Sequence, residues 1–213
     1  MRNLNLKKHH GPGILITFCG LDGCGKTTMI QKLGAELQTK NEVFFTKQPT
    51  DLVRQSDIFR TYMDFPDHSA YDYRSLSLLA ASDRLQHVNK VVIPAIQEGK
   101  IVLSDRYFYS CIANLHARGF EQDQWIYEIA QEIIAPDIAF FFDVPVDVAV
   151  ARVRNRPEER ERYIDLELQY RLREKYIEIC QANDGVLIST CQLPESTYRQ
   201  VRDRVVKEME ALE

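Results

Sequence analysis

The stretch GLDGCGKT, Gly20 to Thr27, constrains this chain more than any other. It follows the apolar run Ile14 to Cys19, which is rich in β-formers, too short for a helix, and reads as a buried strand. It precedes a segment from Lys26 to about Thr39 in which Met29, Ile30, Leu33 and Leu37 fall at helical spacing. Glycines between a strand and a helix let the backbone turn so that several N–H groups point inward. With the positive end of the helix, those groups form a cage for an anion.

GLDGCGKT matches the pattern G-x-x-x-x-G-K-[ST] in full. Lys26 then adds a point charge for the β- and γ-phosphates of a nucleoside triphosphate, and the Thr27 hydroxyl offers a ligand to Mg²⁺. The expected contact set is Gly20, Leu21, Asp22, Gly23, Cys24, Gly25, Lys26, Thr27 and Thr28. A tight glycine turn that merely packs a helix on a strand is the plainer alternative; the strand before and the helix after argue against it. Cys24, a thiol at a helix N-terminus beside a lysine, raises the idea of a reactive cysteine. A small residue that simply fits is the simpler explanation.

Further along, short apolar runs alternate with helical patterns. Strands are expected at Val43 to Thr46, Ile101 to Ser104, Ile138 to Asp143 and Val186 to Ser189. Helices are expected at Tyr73 to Glu98 with an interruption at Pro94, Asp105 to Arg118, Glu121 to Ile134, Val146 to Asn155, Tyr163 to Ala182 and Ser196 to Leu212. Arg156 to Arg162 is a polar, arginine-rich break. The alternation implies a parallel sheet covered on both faces, with ligands beyond the carboxyl ends of its strands.

Composition sets outer bounds. The 213 residues suffice for one sizeable core, and the absence of a repeat or low-complexity linker makes 1–213 one domain, with 1–12 a polar tail. A formal net charge of -4 offers no global basic field for nucleic acid. Five widely spaced cysteines lack zinc-ligand or redox-pair spacing and fit reduced thiols in a cytoplasmic protein. No apolar run approaches the ~18 residues of a membrane span, so a membrane partner is not expected.

After the third strand comes SDRYFYS, where Asp105 can reach Mg²⁺ or the attacking oxygen and Arg106 can hold an anionic acceptor. A capping aspartate and a surface arginine would look the same without the upstream cradle. FCGLDGCGKTT, FFTKQP, AASDRLQH, LSDRYFYSCIA, PDIAFFFDVPVDVAVARVRNR and ERYID occur in that order, and together they resemble the thymidylate kinase family from about Ile14 to Cys180. The resemblance implies an α/β, three-layer P-loop kinase fold with a five-stranded parallel sheet in the order 2-3-1-4-5, flanked by helices and bearing a short lid at about 154–163. It also implies ATP with Mg²⁺ as donor, dTMP as acceptor, dTDP as product, and a homodimer.

Carried over by motif, Asp22 is an acidic residue near the acceptor, and Asp105, Arg106 and Tyr107 match an Asp-Arg-Tyr/His motif that positions metal or acceptor. Arg84 matches an arginine that reads the thymine edge. Gly23 stands where some members have arginine, which in this family goes with a catalytic arginine from the lid; Arg154, Arg156, Arg160 and Arg162 are the candidates. Independently of family, phosphoryl transfer spreads negative charge that an arginine stabilises once water is excluded. A solvated, charged helix end, interleaved with Glu158, Glu159 and Glu161, is the bland alternative.

The acceptor half departs from the family. Lys47-Gln48-Pro49 replaces arginine-glutamate-proline, Ala80 stands where a phenylalanine stacks on thymine, and Asn114-Leu115 replaces tyrosine-glutamine after Ala113. Lys47 can still bind a phosphate, though not in bidentate fashion. Phe59, Phe65, Tyr71, Tyr73 and Tyr109 are candidate substitute rings. The leading expectation is phosphorylation of dTMP. Alternatives are a kinase for another monophosphate, such as a modified pyrimidine, and a nucleotide-binding homologue with altered catalysis. A GTPase switch is disfavoured: there is no D-x-x-G with N-K-x-D, and Asn89-Lys90-Val91-Val92 is not a guanine reader.

Overall fold

A computed structural model describes residues 1–212. Its centre is β1 (Ile14–Gly20), seven consecutive buried residues, as expected of a strand covered on both faces. It lies between β3 (Ile101–Asp105) and β4 (Ile138–Asp143), with β2 (Val43–Lys47) and β5 (Val186–Ser189) outside them. All pairs are parallel and the order is β2-β3-β1-β4-β5, the topology implied by the resemblance. Phe18 stacks on Phe140 and Phe142, with centroids 5.6 and 6.0 Å away. All three rings are buried, each worth roughly 1.5–3 kcal/mol of transfer free energy.

The register sets the chemistry. Phe18 pairs with Asp105, and Gly20 with Phe142, so the glycine-rich turn, the end of β3 and the end of β4 open on one edge. Around the sheet run α1 (Lys26–Leu37), the short α2 (Asp51–Arg54) and α3 (Asp57–Asp64), α4 (Tyr73–His87) and α5 (Ile93–Gln97). They are followed by α6 (Tyr109–Ala117), α7 (Trp125–Ala130), α8 (Val146–Arg154), α9 (Leu166–Ala182) and α10 (Pro194–Leu212). Among the described residues no helix is long and apolar enough to cross a membrane. Their five cysteines are all free.

Several expectations need correction. The long helix from Tyr73 is broken by one π-turn, Val88–Val92, immediately before α5. Pro94 supplies no N–H and its ring crowds the carbonyl four residues back, and a wider turn relieves both. The helix expected from Asp105 starts only at Tyr109. Asp105 is still in β3, and Arg106 turns the chain at φ 70° with its N–H on the Phe18 carbonyl at 2.9 Å. The segment 121–134 keeps helix only in α7, and a 3₁₀ turn, Pro157–Glu159, sits inside the arginine-rich break. Helices α2 and α3 were not anticipated.

The N-terminal stretch is not a free tail either. Leu4 is buried in the core, and the Lys7 N–H donates to the Ile133 carbonyl at 2.8 Å. Leu4 and the partly buried Leu6 dock it on the core.

Candidate active site

The turn after β1 is built around glycine. Gly23 adopts φ 81°, and a Cβ there would lie 2.2 Å from the Ala149 carbonyl oxygen, so no other residue fits. Gly25 caps α1 at φ 95° with no side-chain cap, leaving the first N–H groups of the helix without intrahelical partners. At the carboxyl end of β1 these donors form a cradle suited to an anion. Lys26, the first residue of α1, folds back so that its Nζ donates to the carbonyls of Gly20 at 3.1 Å and Leu21 at 2.7 Å. Cys24 is buried, with its Sγ 3.6 Å from Lys26 Nζ. It serves as a small core residue, and burial takes it out of reach of reagents.

A cavity of about 930 Å³ spreads from this turn between α3, α4, α6 and the segment 156–165. Lys26 and Thr27 line one end. Asp105 lines it too, and its Oδ1 is buried without a hydrogen-bond partner. An orphaned carboxylate oxygen and a threonine hydroxyl lining one cavity are oxygen donors of the kind that suit a hard divalent cation.

Asp22 organises the centre. Its carboxylate accepts from Arg106 Nη2 through one oxygen and from Arg162 Nη2, at 3.0 Å, through the other. Burial alone would raise the Asp22 carboxyl, but the charges of Arg106, Lys26 and Arg162 outweigh it and hold the group well below the usual carboxylate range. Arg106 also donates to Gly20 O at 3.2 Å and to Tyr176 Oη at 2.9 Å, and Tyr176 Oη donates to Ser110 Oγ at 3.0 Å. The side chain of Arg106 is thus held by three partners.

Beyond Arg106 lies a cationic cluster. Lys47 Nζ is 3.9 Å from Asp105. Arg54 donates through Nε to the Pro49 carbonyl at 2.8 Å and lines the same cavity. Burial, then the neighbouring Arg54, lower the Lys47 pKa; burial, then Arg106, lower that of Arg54. Positive charges crowded together in this way call for an anion. Arg84 is buried and donates to the carbonyls of Tyr107 at 3.3 Å and Ala80 at 3.0 Å.

The structure separates the remaining candidates. Arg162 and Arg156 line the cavity, the latter bonded to Glu159 at 2.9 Å; Arg154 and Arg160 do not line it, and Arg154 donates to the Arg160 carbonyl. Tyr107 is turned inward: it is fully buried with its hydroxyl on the Ile134 carbonyl at 2.8 Å, so its side chain leaves the substrate set, while its carbonyl accepts from Arg84. Gln48 also points inward, 3.0 Å from His87 Nδ1, while Thr46 Oγ1 holds His87 Nε2 at 2.8 Å. Of the candidate rings, Phe59 and Tyr73 line the cavity. Phe65 and Tyr71 are exposed, and Tyr109 packs on Phe141 at 5.2 Å. Sequence reasoning missed Arg54, Tyr62 and Arg118, which all line the cavity; none lies in a recognisable motif.

A glycine-lysine-threonine turn at the end of the central strand of a 2-3-1-4-5 parallel sheet, with a cluster of cationic side chains and the arginine-bearing segment 156–162 lining the same cavity, is the architecture of a P-loop nucleoside-monophosphate kinase. The chain matches the family described as thymidylate kinase over residues 18–203 and belongs to that family. A probable thymidylate kinase of Thermococcus gammatolerans is 33% identical over 204 residues, covering 92% of this chain and 98% of the relative. One from Thermococcus kodakarensis is 34% identical over 195 residues, 88% and 95% of the two chains. One from Pyrococcus horikoshii is 36% identical over 172 residues, 79% and 83%. The family uses ATP as phosphoryl donor.

Proposed function

We propose that this chain transfers the γ-phosphoryl group of ATP to the 5′-phosphate of dTMP. An oxygen of the acceptor phosphate forms a bond to the γ-phosphorus, the bond from that phosphorus to the β–γ bridging oxygen breaks, and ADP and dTDP leave. The acceptor oxygen is already ionised, so no general base is needed. What remains is positioning and neutralisation of charge.

The backbone amides of 22–28 and Lys26 hold the donor phosphates. Thr27 and Asp105 would hold Mg²⁺, which supplies charge neutralisation on the phosphates when bound. Arg106, with Lys47 and Arg54, grips the acceptor phosphate, and Asp22 keeps Arg106 aimed. Among the lid arginines Arg162 is the catalytic choice, with Arg156 beside it, since both border the cavity. Arg84 reads the base edge, where Ala80 leaves room and Phe59 and Tyr73 supply rings. The observation that carries this reading is the pairing of a phosphate cradle with a separate cationic cluster on one cavity.

Family resemblance further supports a single domain, a homodimer and a cytoplasmic location. Light scattering should give a mass twice that of the chain, and a monomer would contradict the dimer. The activity itself is tested by ADP release with a panel of monophosphates. Stimulation by dTMP above the others is expected. Preference for a different monophosphate would move the acceptor, and ATP binding with no acceptor-dependent turnover would contradict the kinase.

A further inference from the structure

We infer that Asp83 is a positioning residue for the acceptor grip: it clamps the start of α2 and so holds Arg54 against the acceptor phosphate. The inference rests on the proposed acceptor reading, in which Arg54 belongs to the grip, and gives a role to the one acidic residue of the AASDRLQH stretch.

Helix α2 cannot hold itself in place. It has four residues, Asp51–Arg54, far below the ~12–15 at which an isolated helix is even marginal in water. Thr50, its N-cap residue, makes no side-chain bond to the helix. Both Thr50 donors go to Asp83 on α4 instead: the N–H donates to Oδ2 at 2.8 Å, and the hydroxyl donates to Oδ1. Apolar packing adds Val53, buried in a small cluster with Tyr62 and Leu76. Such packing is non-directional, so the paired hydrogen bonds are what orient α2.

Asp83 is itself buried, and among the described residues its oxygens bond Thr50 and no cation. A buried carboxylate is costly unless hydrogen bonds satisfy it, and Thr50 supplies both. Asp83 does not line the cavity, whereas Pro49, Arg54 and the adjacent Arg84 do. Arg54 is the last residue of α2, and its Nε donates to the Pro49 carbonyl at 2.8 Å. That uses one of the five N–H donors of a guanidinium and leaves Nη1 and Nη2 for an anion. Asp83 therefore acts through Thr50 and α2 on the place of Arg54. One turn of α4 carries Arg84 for the base and Asp83 for the element that bears a phosphate ligand, which sets the two at a fixed separation.

The test is calorimetric binding of dTMP to the full chain, with a non-hydrolysable ATP analogue as control and melting temperatures recorded alongside. We expect Asp83→Ala to weaken dTMP about tenfold or more and to leave the analogue within about twofold. In Asp83→Asn the amide oxygen can accept from the Thr50 N–H and the amide NH₂ can donate to Thr50 Oγ1. That variant keeps the clamp without the charge and should stay within about threefold of wild type. Thr50→Val, which removes the hydroxyl arm, should also weaken dTMP and serves if Asp83→Ala does not fold. Added to Arg54→Met, Asp83→Ala should cost less than about twofold more, because the two act on one contact. Unchanged dTMP affinity, equal losses for dTMP and the analogue, a loss in Asp83→Asn as large as in Asp83→Ala, or a full further loss on the Arg54→Met background overturns the inference. Failure of the acceptor reading looks different: dTMP does not bind, or binds with an affinity indifferent to Arg54→Met, and the inference falls with it.

Discussion

Arg162 Nη2 lies 3.0 Å from Asp22 Oδ2, tying the arginine-rich segment 156–162 to the glycine-rich turn after β1. The same carboxylate holds Arg106 through its other oxygen. One acidic group therefore orients a lid cation and an acceptor-side cation at once. With Lys26, three positive charges surround this one carboxylate.

From that contact, Arg162→Ala should lower kcat by about 100-fold or more with a modest change in the KM for ATP, because the lost interaction matters most in the transition state. Arg154→Ala and Arg160→Ala, outside the cavity, should stay within a few-fold of wild type. Steady-state kinetics of the three variants decides it. Equal effects would mean that the arginine run acts only through its net charge.

Asp105→Asn should raise the Mg²⁺ concentration needed for tight binding of a non-hydrolysable ATP analogue by about tenfold or more, because the buried, unpartnered Oδ1 is the oxygen available to the cation. Calorimetric titration of the analogue at several Mg²⁺ concentrations reads this without turnover. An unchanged Mg²⁺ dependence would leave Asp105 only as the partner of Lys47.

Ala80→Phe should tighten dTMP, and Phe59→Ala should weaken it. Both positions border the cavity, and a base–aromatic stack is worth about 1–3 kcal/mol, or roughly a factor of ten per 1.4 kcal/mol. Acceptor KM values for the two variants test the pair. A rise in KM with Ala80→Phe would show the slot is already filled by existing rings.

Stability should fall as pH drops below about 6.5, the ordinary histidine value. Burial lowers the pKa of His87, held by Thr46 and Gln48, and burial likewise lowers that of His116. The unfolded chain binds protons first between the ordinary value and the lower folded one, so stability is complete above the former and decreases toward the latter. Melting temperature from pH 7.5 to 5.5 should show a shallower slope for His87→Gln than for wild type. Identical slopes would remove His87 from the effect.

The parts of the fold written as continuous apolar runs were readable from sequence: β4 and β5 have the expected bounds, and β1 and β2 each extend one residue further. The glycine-lysine-threonine turn was readable because its backbone conformation demands those residue types. Helices α2 and α3 were not, being only four and eight residues long. They are held by tertiary detail such as Ser56 Oγ accepting from the Phe59 N–H at 3.3 Å and Tyr62 Oη donating to the Tyr71 carbonyl at 2.7 Å. The acceptor side was half legible for the same reason. Arg106 sits in a motif, but Arg54 arrives on α2 and Arg118 follows α6, and only the packing of α4 against α6 brings them to one cavity. Tyr107 misled because a residue within a motif can face either way, and a buried hydroxyl with a carbonyl partner settles which.

The most direct test of the account is dTMP-dependent ADP release by Lys26→Ala beside wild type, at matched melting temperature. Lys26 Nζ spans the turn between the Gly20 and Leu21 carbonyls and is the proposed holder of the donor phosphates. We predict a loss of turnover of about 100-fold or more with the fold intact. Turnover equal to wild type would mean that the phosphate cradle takes no part in the reaction.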